Sequence, residues 1–182
     1  MGDVKSLPPA VSFVAKSGTG KTTLLEKVFE ELKRRGWRVG AVKHDAHSFE
    51  IDHEGKDSWR LTRAGASPMV ISSREKLAIV QEGLREEVPL DEIISHHMRG
   101  VDLVVTEGYK TGHLPKIEVH RQERSGELLC LDGEGNVIDE DLVAVVSDAV
   151  RTPALPVLPL DDPAAVCDFL EVKFLGGRTP SP

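Results

Sequence analysis

Cysteine is nearly absent, with two in 182 residues, and Cys130 and Cys167 stand far apart with no Cys-x-x-Cys pair. That spacing fits buried apolar thiols in a reducing compartment and leaves room for at most one bridge, not a disulfide framework. Positive charge is in deficit: 23 Lys and Arg against 30 Asp and Glu give a formal net charge of −7. A broad nucleic-acid face needs surplus cations, so nucleic acid is excluded as a partner and any anion site must be local. No apolar run approaches the roughly 20 residues that span a bilayer, and no signal-peptide core precedes the chain's first strand. We therefore expect a cytoplasmic protein with no membrane association. Met1-Gly2-Asp3-Val4-Lys5-Ser6 fits a loose myristoylation pattern, but nothing nearby supplies the second membrane signal that stable anchoring needs. With no internal repeat and no linker, residues 1–175 are expected to form one domain, followed by a disordered tail over 176–182.

What is present begins with Val11-Ser12-Phe13-Val14-Ala15-Lys16-Ser17-Gly18-Thr19-Gly20-Lys21-Thr22-Thr23. A short apolar run, a glycine-containing turn and Lys-Thr at the mouth of an amphipathic helix are the parts of a phosphate-binding loop. Backbone N–H groups must converge on an anion, which calls for glycine conformations at Gly18 and Gly20 and a helix aimed at the same point. The binding set is Ser17, Gly18, Thr19, Gly20, Lys21, Thr22 and Thr23. Lys21 would reach the β- and γ-phosphates of a nucleotide, and the Thr22 hydroxyl would take a place on Mg²⁺. The pattern GxxxxGK[ST] starts with glycine and this chain has Ala15 there, at the end of a strand where a methyl is tolerated.

Leu24, Leu25, Val28, Phe29 and Leu32 then form one helical stripe that ends at Gly36. Trp37 to Lys43 reads as a second strand, which makes a βαβ unit and a parallel sheet. A polar, histidine-rich stretch from His44 to Gly55 leads to a helix over 56–63. Two short strands follow at 68–72 and 76–80, then a helix over 90–98 with Ile93 and Ile94 on its buried side. Strands are expected at 102–107, 117–120 and 142–146, with a hairpin around Asp132-Gly133-Glu134-Gly135-Asn136. Pro156 to Leu160 reads as an edge strand, and Asp161 or Asp162 caps a final helix through Phe174. The fold class is α/β: a three-layer P-loop NTPase fold with a mostly parallel central sheet and a small β-hairpin elaboration.

In an open α/β sheet, ligands gather at the carboxyl ends of the strands. Glu107 closes the strand Asp102 to Glu107, where it would hold Mg²⁺ through water or orient an attacking water. Asp45 follows the second strand and can approach the Mg²⁺ shell or a nucleophile. Lys21, Glu107 and Asp45 are thus the catalytic candidates, with Thr22 and Glu107 as the metal set. Asp148 ends a later strand, where an acid would accept from guanine N1 and N2; a turn residue is the competing reading, so GTP and ATP both stay open on the residues alone. His44, His47 and His53 lack the partners of a tetrahedral zinc set. Arg60, Arg63, Lys110 and Lys116 either pair with nearby acids or meet an anion. No glutamine or arginine finger can be named.

Taken together, Ala15 to Leu25, Val42-Lys43-His44, Gly55-Lys56-Asp57-Ser58 with Ala64-Gly65-Ala66, Val105 to Lys110 and Val145-Val146-Ser147-Asp148 resemble the molybdopterin-guanine dinucleotide biosynthesis protein B family, MobB, over residues 10–170. The resemblance implies a P-loop GTP-binding protein with weak, Mg²⁺-linked hydrolysis, which forms homodimers partly through β-structure. It implies an accessory role to the guanylyltransferase that joins GMP to molybdopterin, with molybdopterin as a further ligand. It assigns Gly18, Gly20, Lys21, Thr22 and Thr23 to phosphate and Mg²⁺, and Glu107 to the strand-end acid. The family loop often starts with a residue other than glycine, as Ala15 does here. Two other classes remain to be weighed: a small-molecule kinase with Asp45 as base and an acceptor site over His44 to Arg63, and a metal carrier using His44, His47 and His53.

Overall fold

The computed structural model describes residues 7–44, 49–149, 155–176 and 178–180. Near-continuous burial along Ala10–Val14 makes β1 a central strand, and the amphipathic stripe after it makes α1 over Lys21–Arg34, with Leu24, Leu25, Val28 and Leu32 buried. Gly36, at φ 90°, lets the chain leave that helix in a conformation that costs other residues strain. It continues through β2 (Val39–Lys43), α2 (Asp57–Arg63), β3 (Met69–Ser72), β4 (Leu77–Val80) and α3 (Leu90–His97). Then come β5 (Leu103–Glu107), β6 (Lys116–His120), β7 (Leu142–Ser147), β8 (Val157–Pro159) and α4 (Pro163–Leu170), followed by a π-helical turn over Glu171–Leu175.

The chain divides into two units, one comprising residues 1–44 with 91–182 and the other residues 45–90. The first contains a six-stranded sheet in the order β2-β5-β1-β6-β7-β8, with every pairing parallel. This is the expected α/β P-loop arrangement: β1 sits centrally, and β5 has inserted between it and β2. Because all six strands run the same way, their carboxyl ends share one edge.

The sheet's two faces are built differently. On one, Val11, Phe13, Leu103, Val105, Ile117, Val119, Ala144 and Val146 pack with α1 and α4 in a single apolar cluster. Each fully buried side chain of this kind contributes about 1.5–3 kcal/mol. Arg35 ties the covering helices together through Glu31 at 2.7 Å, Asp168 at 2.6 Å and Glu171 at 2.8 Å, and Trp37 donates to Glu171 at 2.6 Å. Asp162 caps α4 by accepting from the Ala165 N–H, as expected.

The opposite face carries buried polar side chains, most of them answered by the segments above it; among the described residues the buried Thr106 hydroxyl has no hydrogen-bond partner. Glu118, 1% exposed, accepts the backbone N–H groups of Leu129 and Cys130. Lys116, 4% exposed, meets Asp139 at 2.8 Å, so it is structural and is not offered to a ligand. Burial beside Glu118 and Asp139 pushes the Cys130 thiol up to about 12, and burial does the same to Cys167. Both cysteines are free. At the sheet's rim Gly40 lets the Met98 sulfur lie close, since a Cβ there would meet it at 2.6 Å and the methionine would have to move aside. The hairpin expected after β6 is reduced to one bridge, Leu131 to Val137, because the Asp132 carboxylate takes the Glu134 and Asn136 N–H groups and closes a compact turn.

In the second unit β3 and β4 pair antiparallel as an isolated two-stranded ribbon, the expected hairpin elaboration. Ser67 exchanges hydrogen bonds with the backbone of Glu82 at 2.9 and 3.0 Å and so closes the ribbon's open end. In α2, Arg63 stacks over the Trp59 ring and reaches Glu50, and Arg60 lies 3.7 Å from Asp57. These arginines take acids of their own segment.

Candidate functional site

The site is assembled at the carboxyl edge from the ends of β1, β2, β5, β6 and β7. After β1 the chain turns through Gly18 at φ 78° and Gly20 at φ 85°. Side chains are strained in that region, so these two glycines permit the turn by which the chain passes from β1 into α1. Gly18 has nothing within 4 Å of where a Cβ would stand, which leaves its constraint conformational and not steric. Thr19 is 2% exposed and donates through its hydroxyl to the Lys16 carbonyl at 3.2 Å, bracing the loop from inside. Gly20 caps α1, whose acid-free first turn places the helix's positive end at the loop.

The register of the sheet sets Glu107 opposite both Phe13 and Lys43. From there one carboxylate oxygen accepts from the Lys21 ammonium and from the Thr22 hydroxyl, the latter at 2.9 Å. Burial pushes this carboxyl up, but hydrogen bonds from Lys21 and Thr22 and the charges of Lys21 and Lys43 outweigh it and hold it below the ordinary carboxylate range. Three residues singled out in the sequence are therefore in contact. The Thr22 hydroxyl and the Glu107 carboxylate are hard oxygen donors on one spot, a donor set that fits Mg²⁺, which keeps most of its waters and takes one or two protein oxygens. Ser17 and Thr23 stand in the same loop and first turn, both exposed.

Behind Glu107, Gly108 is fixed by close approach. Its φ is 100°, and a Cβ would meet the His44 carbonyl oxygen at 2.8 Å. The His44 N–H donates to the Glu107 carbonyl at 2.8 Å, and its ring tilts against Tyr109 with centroids 5.0 Å apart. The Lys43-His44 and Glu107-Gly108 motifs are thus one packed crossing of two strand ends. Asp45 and His47 lie outside the described residues. Among the described residues no group of three or more His, Cys, Asp or Glu side chains is placed to hold a metal ion.

Asp148 follows β7 at the same edge, where its carboxylate accepts from the Gln122 N–H at 2.9 Å. That contact draws in a turn which sequence reasoning missed. Arg121, the residue after β6, donates from Nε to the Thr19 carbonyl at 3.4 Å, and the loop's Lys16 pairs with Glu127 of the same connection at 2.9 Å. His120, 3% exposed, donates from Nε2 to the Ser125 carbonyl at 2.7 Å. In the uncharged ring this leaves Nδ1 to accept from the Ser147 hydroxyl at 3.0 Å. The signal that finds Arg121 is its place directly after a strand parallel to β1.

The sequence model of the family described as molybdopterin guanine dinucleotide synthesis protein B matches residues 10–148. The molybdopterin-guanine dinucleotide biosynthesis adapter protein of Haemophilus influenzae is 37% identical over 164 residues, covering 90% of this chain and 88% of the relative. The protein so named in Escherichia coli K12 is 34% identical over 173 residues, covering 91% and 93%. Among solved structures, a molybdopterin-guanine biosynthesis protein B (MobB) aligns with TM-score 0.67 at 29% identity, over 91% of this chain and 99% of the other. Bacillus subtilis MobB aligns with TM-score 0.67 at 25% identity, over 90% and 96%. The match spans the loop after β1 and the strand ends that meet it, through Asp148, and this chain belongs to the molybdopterin guanine dinucleotide synthesis protein B family.

Proposed function

We propose that this chain is a cytoplasmic, Mg²⁺-dependent GTP-binding adapter in molybdopterin guanine dinucleotide biosynthesis, assisting a partner guanylyltransferase. The observation that carries the reading is the Glu107 carboxylate bridging Lys21 and Thr22 at the mouth of α1. On this reading Gly18, Gly20 and the loop N–H groups take the phosphates, Lys21 turns from Glu107 to the β- and γ-phosphates, and Thr22 and Glu107 hold the ion through oxygen and water. Bound Mg²⁺ would supply charge neutralisation across the phosphate oxygens. Asp148 takes the guanine edge, and molybdopterin is the second ligand by which such an adapter would serve the transferase.

Hydrolysis is slow on this reading. Glu107 is engaged by Lys21 and Thr22, and no side chain at the described edge is placed by its contacts to activate water, so the loop favours holding nucleotide over cleaving it. The homodimer belongs to the same proposal: Val70, Ile71, Leu77 and Ile79 of the ribbon are all apolar and exposed, as a surface between two copies would be. Lys21→Ala should weaken GTP binding at least 100-fold in isothermal titration with Mg²⁺; undiminished affinity would overturn the nucleotide reading.

A further inference from the structure

We propose that Arg121 is a second cation of the nucleotide site, built into this chain, which binds the nucleotide's phosphate chain beside the loop. The inference rests on the nucleotide reading above and adds to it a residue one hundred positions away in sequence.

Position is the first ground. Strand β6 is parallel to β1 and pairs with it directly, Ser12 with Lys116 through Val14 with Glu118. The residue that leaves β6 therefore emerges beside the one that leaves β1. Arg121 emerges there, with Nε on the Thr19 carbonyl at 3.4 Å and a terminal guanidinium nitrogen 3.8 Å from where a Cβ on Gly20 would stand. The guanidinium thus reaches the start of α1, the positive end of that helix.

Charge is the second. Lys21 is held by Glu107, Lys16 by Glu127 and Arg124 by Glu123. Among the described residues no carboxylate pairs with Arg121; its one contact spends a single N–H on a backbone carbonyl. The remaining donors of a planar fork suit a phosphate, which arginine can grip with two bonds at once.

The third ground is that the turn holding Arg121 is fixed from several sides. Its carbonyl accepts the N–H groups of Arg124 at 3.0 Å and Ser125 at 3.2 Å. Buried His120 locks the far end of that turn through the Ser125 carbonyl, and Asp148 holds the Gln122 N–H from the end of β7. Asp148 acquires a second task here: it positions the arginine turn.

The test is isothermal titration of the full chain with GTP and with GDP in Mg²⁺, at low and high salt, for wild type, Arg121→Ala, Arg121→Lys and Lys21→Ala, alongside thermal unfolding without nucleotide. We expect Arg121→Ala to bind both nucleotides 10- to 100-fold more weakly, with part of the loss restored by Arg121→Lys. The variant's affinity should also fall less steeply with salt than that of wild type, and its melting temperature should be unchanged. Wild-type affinity in Arg121→Ala, or a loss with an unchanged salt dependence that Arg121→Lys does not relieve, would overturn the role of Arg121 while Lys21→Ala still reports on the loop. A wild-type chain that binds neither nucleotide overturns both readings together.

Discussion

The unit built on β1 and the unit spanning residues 45–90 handle apolar side chains in opposite ways. In the first, Phe13, Leu103, Ile117 and Leu170 are wholly withdrawn from solvent, and even charged groups on the sheet, such as Glu118 and Lys116, are buried with partners. In the second, no described residue is buried; Leu77 is 63% exposed and Ile79 49%. A two-stranded ribbon has no second layer of its own, and alone it is marginally stable at best. The difference teaches where each region keeps its free energy. The sheet unit holds it inside the chain, whereas the ribbon carries apolar area that gains only when something covers it.

That contrast can be broken at its strongest point first. Leu103→Ala removes a fully buried side chain from the sheet's apolar cluster and should cost about 2–5 kcal/mol in urea unfolding. A loss under about 1 kcal/mol would mean that the sheet is not where stability resides. The polar face gives a smaller effect with a pH signature. Burial pushes the Asp139 carboxyl up, but the hydrogen bond and charge of Lys116 outweigh it and leave it below its ordinary value of 3.8. Its contribution is therefore complete above that value and lost as pH falls through the depressed one. Lys116 is raised above 10.5, so its share persists below 10.5 and is lost as pH rises through the raised value. Asp139→Asn should cost about 1–2 kcal/mol at pH 7, reduced from the fully buried case because the nearby Asp141 still faces Lys116. It should also flatten the decline of the urea midpoint as pH falls below 3.8; an unaltered profile would remove Asp139 from the account.

The smallest stability effect belongs to the ribbon, and it sharpens the contrast most. Leu77→Asp with Ile79→Asp places two charges on one exposed face and should move the urea midpoint of dilute protein by less than about 0.5 kcal/mol. Sedimentation should nevertheless show wild type as a dimer and the double variant as a monomer. Equal sedimentation of the two would sink the proposed homodimer.

Local pattern made much of this legible in the sequence. The glycine turn, the stripe from Leu24 to Leu32, the stop at Gly36 and the acid closing β5 each follow from spacing within a dozen residues, and each is found where spacing puts it. The ribbon, too, was readable, because two short apolar runs joined by a polar turn show a hairpin even when neither face is covered. What stayed hidden depends on register between distant strands. Nothing near Glu118 announces that its carboxylate will hold two loop amides, nor does anything near Lys116 decide between the acid and the anion it was offered; burial on Asp139 does. Arg121 meets Thr19 only because β6 is set against β1. The hairpin after β6 was over-read, since hydrophobic runs on both sides of a turn signal pairing, while here Leu129 and Cys130 spend their N–H groups on Glu118.

The shared oxygen of Glu107 has a consequence for the order of events. A phosphate loop without its anion is a convergence of N–H dipoles and an ammonium, and Glu107 serves there as a resident counter-ion. An arriving triphosphate would not fill a void but take the place of one anion with another. The displaced carboxylate, its pKa held down by cations it must now share, would remain beside the incoming charge. Two anions around one threonine hydroxyl create a demand for a divalent cation that did not exist before, so the metal's affinity for this site should arise with the nucleotide and depart with it.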